Sequence, residues 1–285
     1  MVASKTRGES PPEQGDFADL PGPDVDVLVV AVGGLDPTGG AGVVRDFLTA
    51  RTLRARVRLV PTAWTEQSAA RGISSVEPRD PTALEAALRA ALTPQPGPSV
   101  TEIAVKVGML PNGAAVDAVV RALRNWVGPV VFDPVLGASS GGALYQGDPA
   151  VLLELGQRAS VFTPNALEAG RLSKRDIAEP VDLVEAERAG HALVRQGVPA
   201  VLVKGGHVRG ALAVDLLVSA AGVRRFEAPR LPGPSVRGTG CALGTAIAVA
   251  LARGLTLERA VAFAKAWLHG AIAGAIQVGD ERHLS

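Results

Sequence analysis

Val25-Asp26-Val27-Leu28-Val29-Val30-Ala31-Val32-Gly33-Gly34-Leu35-Asp36-Pro37-Thr38-Gly39-Gly40-Ala41-Gly42 is the stretch on which the architecture turns. Its first eight residues are nearly all β-branched or aliphatic, with no polar alternation after Asp26, as in a strand covered on both faces. The glycines that follow make a tight turn, and an apolar-periodic stretch to about Leu53 then reads as a helix. Strand, glycine loop and helix form the opening half of a βαβ unit. Further strand candidates recur at 57–61, 103–107, 130–133, 160–163 and 200–204. Helical stretches lie at 81–92, 113–125, 148–155 and 183–196. This alternation predicts an α/β fold with a mostly parallel central sheet and helices on both faces. Short alternating runs at 213–218 and 223–228 read as an antiparallel hairpin added to that sheet. Two helices, 240–253 and 257–275, follow.

Composition narrows the function. The 285 residues are 47% hydrophobic and 20% charged, ordinary globular values. Glycine is in excess, 33 residues, as a fold with many tight strand ends requires. The 29 basic and 28 acidic residues leave a net charge of +1 with no basic run, so neither a nucleic-acid partner nor a membrane-surface partner is expected. A single cysteine, Cys241, excludes an internal disulfide framework and a cysteine-rich zinc site. Residues 1–24 have no apolar signal core and read as a disordered tail; residues 25–285 read as one domain. The apolar stretches fall short of a membrane span, and a cytoplasmic location is expected.

In an open parallel sheet, ligands bind beyond the carboxyl ends of the strands, and the chemically informative residues cluster there. The loop 33–42 is neither a P-loop nor a dinucleotide fingerprint. Alone, it is explained equally well by a tight turn and by close backbone approach to a ligand. Asp133 ends a strand. Asn165 and Glu168 stand three apart at a helix start, and spacing alone favours a capping box over a magnesium site. Lys204 ends another strand beside Gly205 and Gly206. Arg237-Gly238-Thr239-Gly240-Cys241 opens an Ala-rich helix, whose free N–H groups suit an anion and should lower a thiol's pKa.

The order of these motifs resembles the hydroxymethylpyrimidine/phosphomethylpyrimidine kinases of thiamine biosynthesis, within the ribokinase-like superfamily. The resemblance runs from about Val27 to Val278. It is carried by Gly34-Leu35-Asp36-Pro37-Thr38-Gly39-Gly40-Ala41-Gly42, Thr62-Ala63 through Gln67, Lys106-Val107-Gly108-Met109-Leu110, Asp133-Pro134-Val135, Thr163-Pro164-Asn165 with Glu168, Lys204-Gly205-Gly206-His207 and Gly238-Thr239-Gly240-Cys241. It implies a three-layer α/β/α ribokinase-like fold, ATP and Mg²⁺ as cofactors, and phosphorylation of a pyrimidine hydroxymethyl group or its monophosphate. By matched position, Gly34, Asp46, Gln67, Met109 and Val135 would contact the pyrimidine. Lys204, Asn165 and Arg237 would serve ATP, and Glu168 and Asp133 the metal. Gly238, Thr239 and Gly240 would form the anion hole beside Cys241, the catalytic residue. A homodimer is expected. Departures from the family pattern are Ser139 and Gly142, in place of Lys and Asp, Leu35 for a small hydroxyl residue, Arg237 for His, and a C-terminal tail reduced to 280–285. They keep two other readings in view: a pyridoxal-type kinase, and a catalytically weakened pyrimidine-binding regulatory protein.

Overall fold

In the computed structural model, which describes residues 26–68, 72–93, 102–137, 142–177, 181–206, 208, 210–278 and 281–284, the opening strand is β1 (Val27–Leu35). Leu28, Val30 and Val32 point into one apolar core and Val27 and Val29 into another, which explains why no polar residue interrupts the run. The expected 1–24 tail and Ser139 lie outside the described residues. The chain continues through α1 (Gly42–Thr52), β2 (Arg56–Ser68), β3 (Gly72–Pro78), α2 (Pro81–Leu92), β4 (Glu102–Val107), α3 (Gly113–Ala122) and β5 (Val130–Phe132). A 3-10 turn (Pro149–Val151) leads into α4 (Leu152–Gly156), followed by β6 (Val161–Phe162), α5 (Ala166–Ser173), α6 (Leu183–Arg195) and β7 (Ala200–Val203). Then come β8 (Leu212–Ser219), β9 (Gly222–Pro229), β10 (Val236–Arg237), α7 (Thr239–Ala252), α8 (Leu257–Ala273), β11 (Ile276–Val278) and β12 (Glu281–His283).

Among the described residues the main sheet has nine strands in the order β3-β2-β1-β4-β5-β6-β7-β8-β9. From β2 to β7 neighbours run parallel, while β3, β8 and β9 pair antiparallel. One core joins the sheet to α2, α3, α4, α5 and α6, and the other joins it to α1, α7 and α8. The result is the expected three-layer α/β/α architecture. Strand order reverses direction at β1, with β2 on one side and β4 on the other. Such a switch opens a crevice at the carboxyl ends of those strands. α7 is apolar all round, and Ala242 to Ala250 are all buried, because it lies between the sheet, α1 and α8.

Two elements differ from the sequence reading. The second strand was expected to stop at Pro61, since proline punctuates strands. Instead β2 runs to Ser68, with a register shift opposite Gly33 and Gly34, and turns back as β3. Its polar outer half hides it from a hydrophobicity pattern. The short C-terminal segment, read as a reduced tail over 280–285, supplies β12, which with β11 just before it and β10 forms a second, three-stranded sheet in the order β10-β12-β11.

Candidate active site

At the carboxyl ends of β1, β2 and β4, Ala63, Met109 and Leu144 form a small apolar cluster with Ile73, Val76 and Val135, distinct from the two cores. Gly34 belongs there by contact. A Cβ at Gly34 would lie 3.2 Å from the Met109 sulfur, so a side chain would crowd the cluster. Thr62 fixes Met109 by donating its hydroxyl to the Met109 carbonyl at 2.8 Å. The structure thus brings Gly34, Met109 and Val135 together. Gln67 stands in β2 opposite Ile73, at the rim, with its side chain outside the description. Asp46, expected at the pyrimidine, lies in the interior. It is fully buried in α1, and Lys106 Nζ lies 2.9 Å from both of its oxygens, with Thr245 donating at 2.8 Å. Its carboxylate is committed to this interior pair rather than to an open pocket.

On the other flank, Asp133 follows β5 and Lys204 follows β7. Their side chains form an ion pair, with Asp133 2% and Lys204 15% exposed. Burial disfavours the Lys204 ammonium, but Asp133 and Glu168 outweigh it and hold the pKa above the ordinary lysine value. Asn165 and Glu168 form a complete capping box on α5: the Asn165 side chain accepts from the Glu168 N–H at 2.9 Å, and Glu168 accepts from the Asn165 N–H at 2.8 Å. The other Glu168 oxygen accepts from the Leu136 N–H at 3.2 Å. Burial pushes the Glu168 carboxyl up to about 7, against the pull of Lys204. Among the described residues no group of three or more His, Cys, Asp or Glu is placed to hold a metal ion. Asp133 and Glu168 can therefore serve only an ion that brings its own phosphate and water ligands, which is how Mg²⁺ usually binds beside nucleotides.

Between the two flanks lies the start of α7. Gly238 caps it in the left-handed region (φ 75°) with no side-chain cap, and the first helical bond runs from the Ala242 N–H to the Gly238 carbonyl at 2.9 Å. The N–H groups of Thr239, Gly240 and Cys241 therefore precede the helix's own bonding. A Cβ on Gly240 would come 3.4 Å from Lys204 Nζ and 3.6 Å from Asp133 Oδ2, so cation, carboxylate and helix start share one space. The Gly42 N–H is among the influences that favour the Cys241 thiolate. Burial raises the thiol pKa, with Lys106 the chief opposing charge. Burial thus works against the lowering expected at the helix start.

Arg237, expected to serve ATP, is paired within the protein. Its Nη1 donates to both Glu281 oxygens at 2.7 Å and its Nη2 to Asp36 Oδ2 at 3.2 Å, so the guanidinium braces the glycine loop rather than facing the anion site. Sequence reasoning assigned no role to Lys106, although a charged residue within Ile103-Ala104-Val105-Lys106-Val107 was a visible signal. In a strand buried on both faces, a lysine must have a partner. Asp215, which accepts from the Gly205 N–H at 2.9 Å and pairs with Lys265 at 2.7 Å, carried no such signal in its hairpin.

An apolar cluster and a cation–carboxylate pair on either side of a helix start suit a small-molecule phosphotransferase. The sequence profile of the phosphomethylpyrimidine kinases matches residues 36–284. The chain belongs to the phosphomethylpyrimidine kinase family. As a kinase it uses ATP and a small-molecule acceptor. Its sequence is 37% identical to the hydroxymethylpyrimidine/phosphomethylpyrimidine kinase of Rhizobium meliloti strain 1021, over 90% of this chain and 94% of that one. It is 35% identical to the Salmonella typhimurium enzyme of the same name, over 89% of this chain and 94% of that one. The phosphomethylpyrimidine kinase of Clostridium difficile 630 superposes with a TM-score of 0.71 at 27% identity, covering 87% of this kinase and all (100%) of the other. An ADP complex of Bacillus subtilis pyridoxal kinase gives a TM-score of 0.75 at 26% identity, covering 92% and 98%.

Proposed function

We propose that the chain phosphorylates 4-amino-5-hydroxymethyl-2-methylpyrimidine, its monophosphate, or both, with ATP and Mg²⁺, in thiamine biosynthesis. The observation that carries this is the joining of the apolar cluster to the α7 start through one loop: the Gly34 carbonyl packs on Gly42, and the Gly40 carbonyl packs on Gly238, which caps α7. Met109 and Val135 would hold the ring, with Gln67 at its polar edge. Lys204 and the N–H groups of Gly238, Thr239 and Gly240 would stabilise charge on the transferring group, the main task in phosphoryl transfer. When bound, Mg²⁺ would neutralise the phosphate charge; Asp133 and Glu168 would orient its water shell, and Asn165 keeps Glu168 in place. In the first step the hydroxymethyl oxygen attacks the γ-phosphorus, the bond to ADP breaks, and the hydroxyl proton passes to the minor thiolate fraction of Cys241, which Lys106 favours against burial. In the second the acceptor is a phosphate oxygen already carrying charge, and no proton need be taken. Residues 25–285 would act as one catalytic unit, in the cytoplasm and as a homodimer. Consistent with that location, no helix among the described residues is long and apolar enough to cross a membrane.

The test is substrate-dependent ADP release with the hydroxymethylpyrimidine, its monophosphate and pyridoxal, beside calorimetric binding of each. Turnover of the pyrimidines well above pyridoxal is expected, and Cys241→Ser should slow the first phosphorylation more than the second. Preference for pyridoxal would replace this reading by the related kinase activity. Tight pyrimidine binding without ADP release would replace it by the regulatory one. Light scattering at micromolar protein reads the dimer.

A further inference from the structure

We infer that two arginines, Arg45 and Arg237, form a clasp that positions the glycine loop 36–42 against the Gly238 turn, and that β12 is the bar on which it closes. Arg237 joins Asp36, at the head of the loop, to Glu281 of β12, and His283 adds a 2.9 Å contact to the same glutamate. Arg45, 3% exposed, donates from Nη1 to the Leu284 carbonyl at 2.9 Å and from Nη2 to the Gly39 carbonyl at 3.2 Å. Each guanidinium thus grips the loop with one nitrogen and the C-terminal strand with the other, a use of the planar fork that lysine cannot reproduce. The space between is filled. A Cβ on Gly40 would lie 3.1 Å from the His283 ring and 3.2 Å from the Arg237 guanidinium, and one on Gly238 would lie 2.3 Å from the Gly40 carbonyl.

The clasp matters because of what lies at the two ends of the loop. Gly34 packs on Met109 before it, and near its far end the Gly40 carbonyl packs on Gly238, where α7 begins. Fixing the loop to the turn that begins α7 sets the distance between the acceptor pocket and the phosphoryl site. Arg45, Arg237, Asp36 and Glu281 are positioning residues for phosphoryl transfer, and the inference rests on the proposed reading of the α7 start as the transfer site.

Glu281→Gln and Arg237→Lys test it, because both keep size and polarity at partly exposed positions. Three measurements are needed: kcat with KM for ATP, the rate of iodoacetamide alkylation of Cys241, and the melting temperature. Loosening the loop should lower kcat about tenfold or more, since misplacement by a full ångström can cost about a hundredfold, while KM for ATP holds within about twofold. Alkylation of Cys241 should speed up several-fold at temperatures well below melting, and Arg237→Lys should keep part of the wild-type behaviour. Unchanged alkylation and kcat in folded Glu281→Gln protein would overturn the clasp and leave β12 a purely structural strand. A wild-type protein that phosphorylates nothing would instead sink the proposed function; the alkylation rates would still decide the clasp.

Discussion

Cys241 is poised against its own ionisation. Burial raises its pKa, and Lys106 is the chief charge working the other way. The rate of iodoacetamide alkylation should therefore rise with a midpoint above the ordinary thiol value of about 8.5, and Lys106→Met should move it higher still by removing a cation. The charged groups acting on Lys106 are Asp46, Cys241 and Asp133. Burial disfavours the Lys106 ammonium, but these charges, Asp46 foremost, hold it above the ordinary lysine value. Lys106→Met alone strands a fully buried carboxylate and should cost about 3–5 kcal/mol in urea unfolding. Adding Asp46→Asn removes that stranded charge and should recover most of the loss. If the double variant is as unstable as the single, the pair is not what holds α1 to β4.

The start of α7 gives the sharpest test of an element. Gly240→Ala fits without a clash, and alanine is the better helix former by about 1 kcal/mol. Stability should hold or rise, while the new methyl occupies the space beside Lys204 and Asp133 and phosphoryl transfer falls steeply; retained turnover would move the transfer site elsewhere. On α5, the raised Glu168 pKa has a definite sign. The folded state keeps its proton from the ordinary 4.5 up to about 7, so this group's share of stability is complete below 4.5 and is lost as pH rises towards 7. Glu168→Gln keeps the cap through its amide oxygen, so in metal-free buffer its unfolding free energy should lack that decline. These elements differ in how far they were legible. The parallel strands and α2, bounded by Asp80 and Pro81, were readable because burial on both faces and a capped, periodic helix leave local marks. The β2–β3 hairpin was not, since its pairing crosses Pro61 and polar residues. Gly34, Met109 and Val135 were assigned to the pocket by motif and stand together. Asp46 and Arg237 stand in ion pairs the motifs did not reveal, because sequence shows that a charge is present but not which partner it has already taken.

At the scale of the whole molecule, the described chain is organised by contacts distant in sequence. β1 sits between β2 and β4, and such non-local pairing makes for slow folding. The rim of the site is the extreme case, because Arg45 reaches the Leu284 carbonyl across 239 positions. At synthesis rates of 5–20 residues per second, the glycine loop leaves the ribosome roughly ten to fifty seconds before β12 exists to hold it. A chain stalled at residue 278 should bind nucleotide through its Asp133–Lys204 flank yet show little pyrimidine-dependent ADP release, whereas the completed chain, once free, should show it fully. Equal release from both would mean that the rim closes without β12. If the clasp sets the transfer geometry, the order of synthesis would make activity one of the last properties the chain acquires.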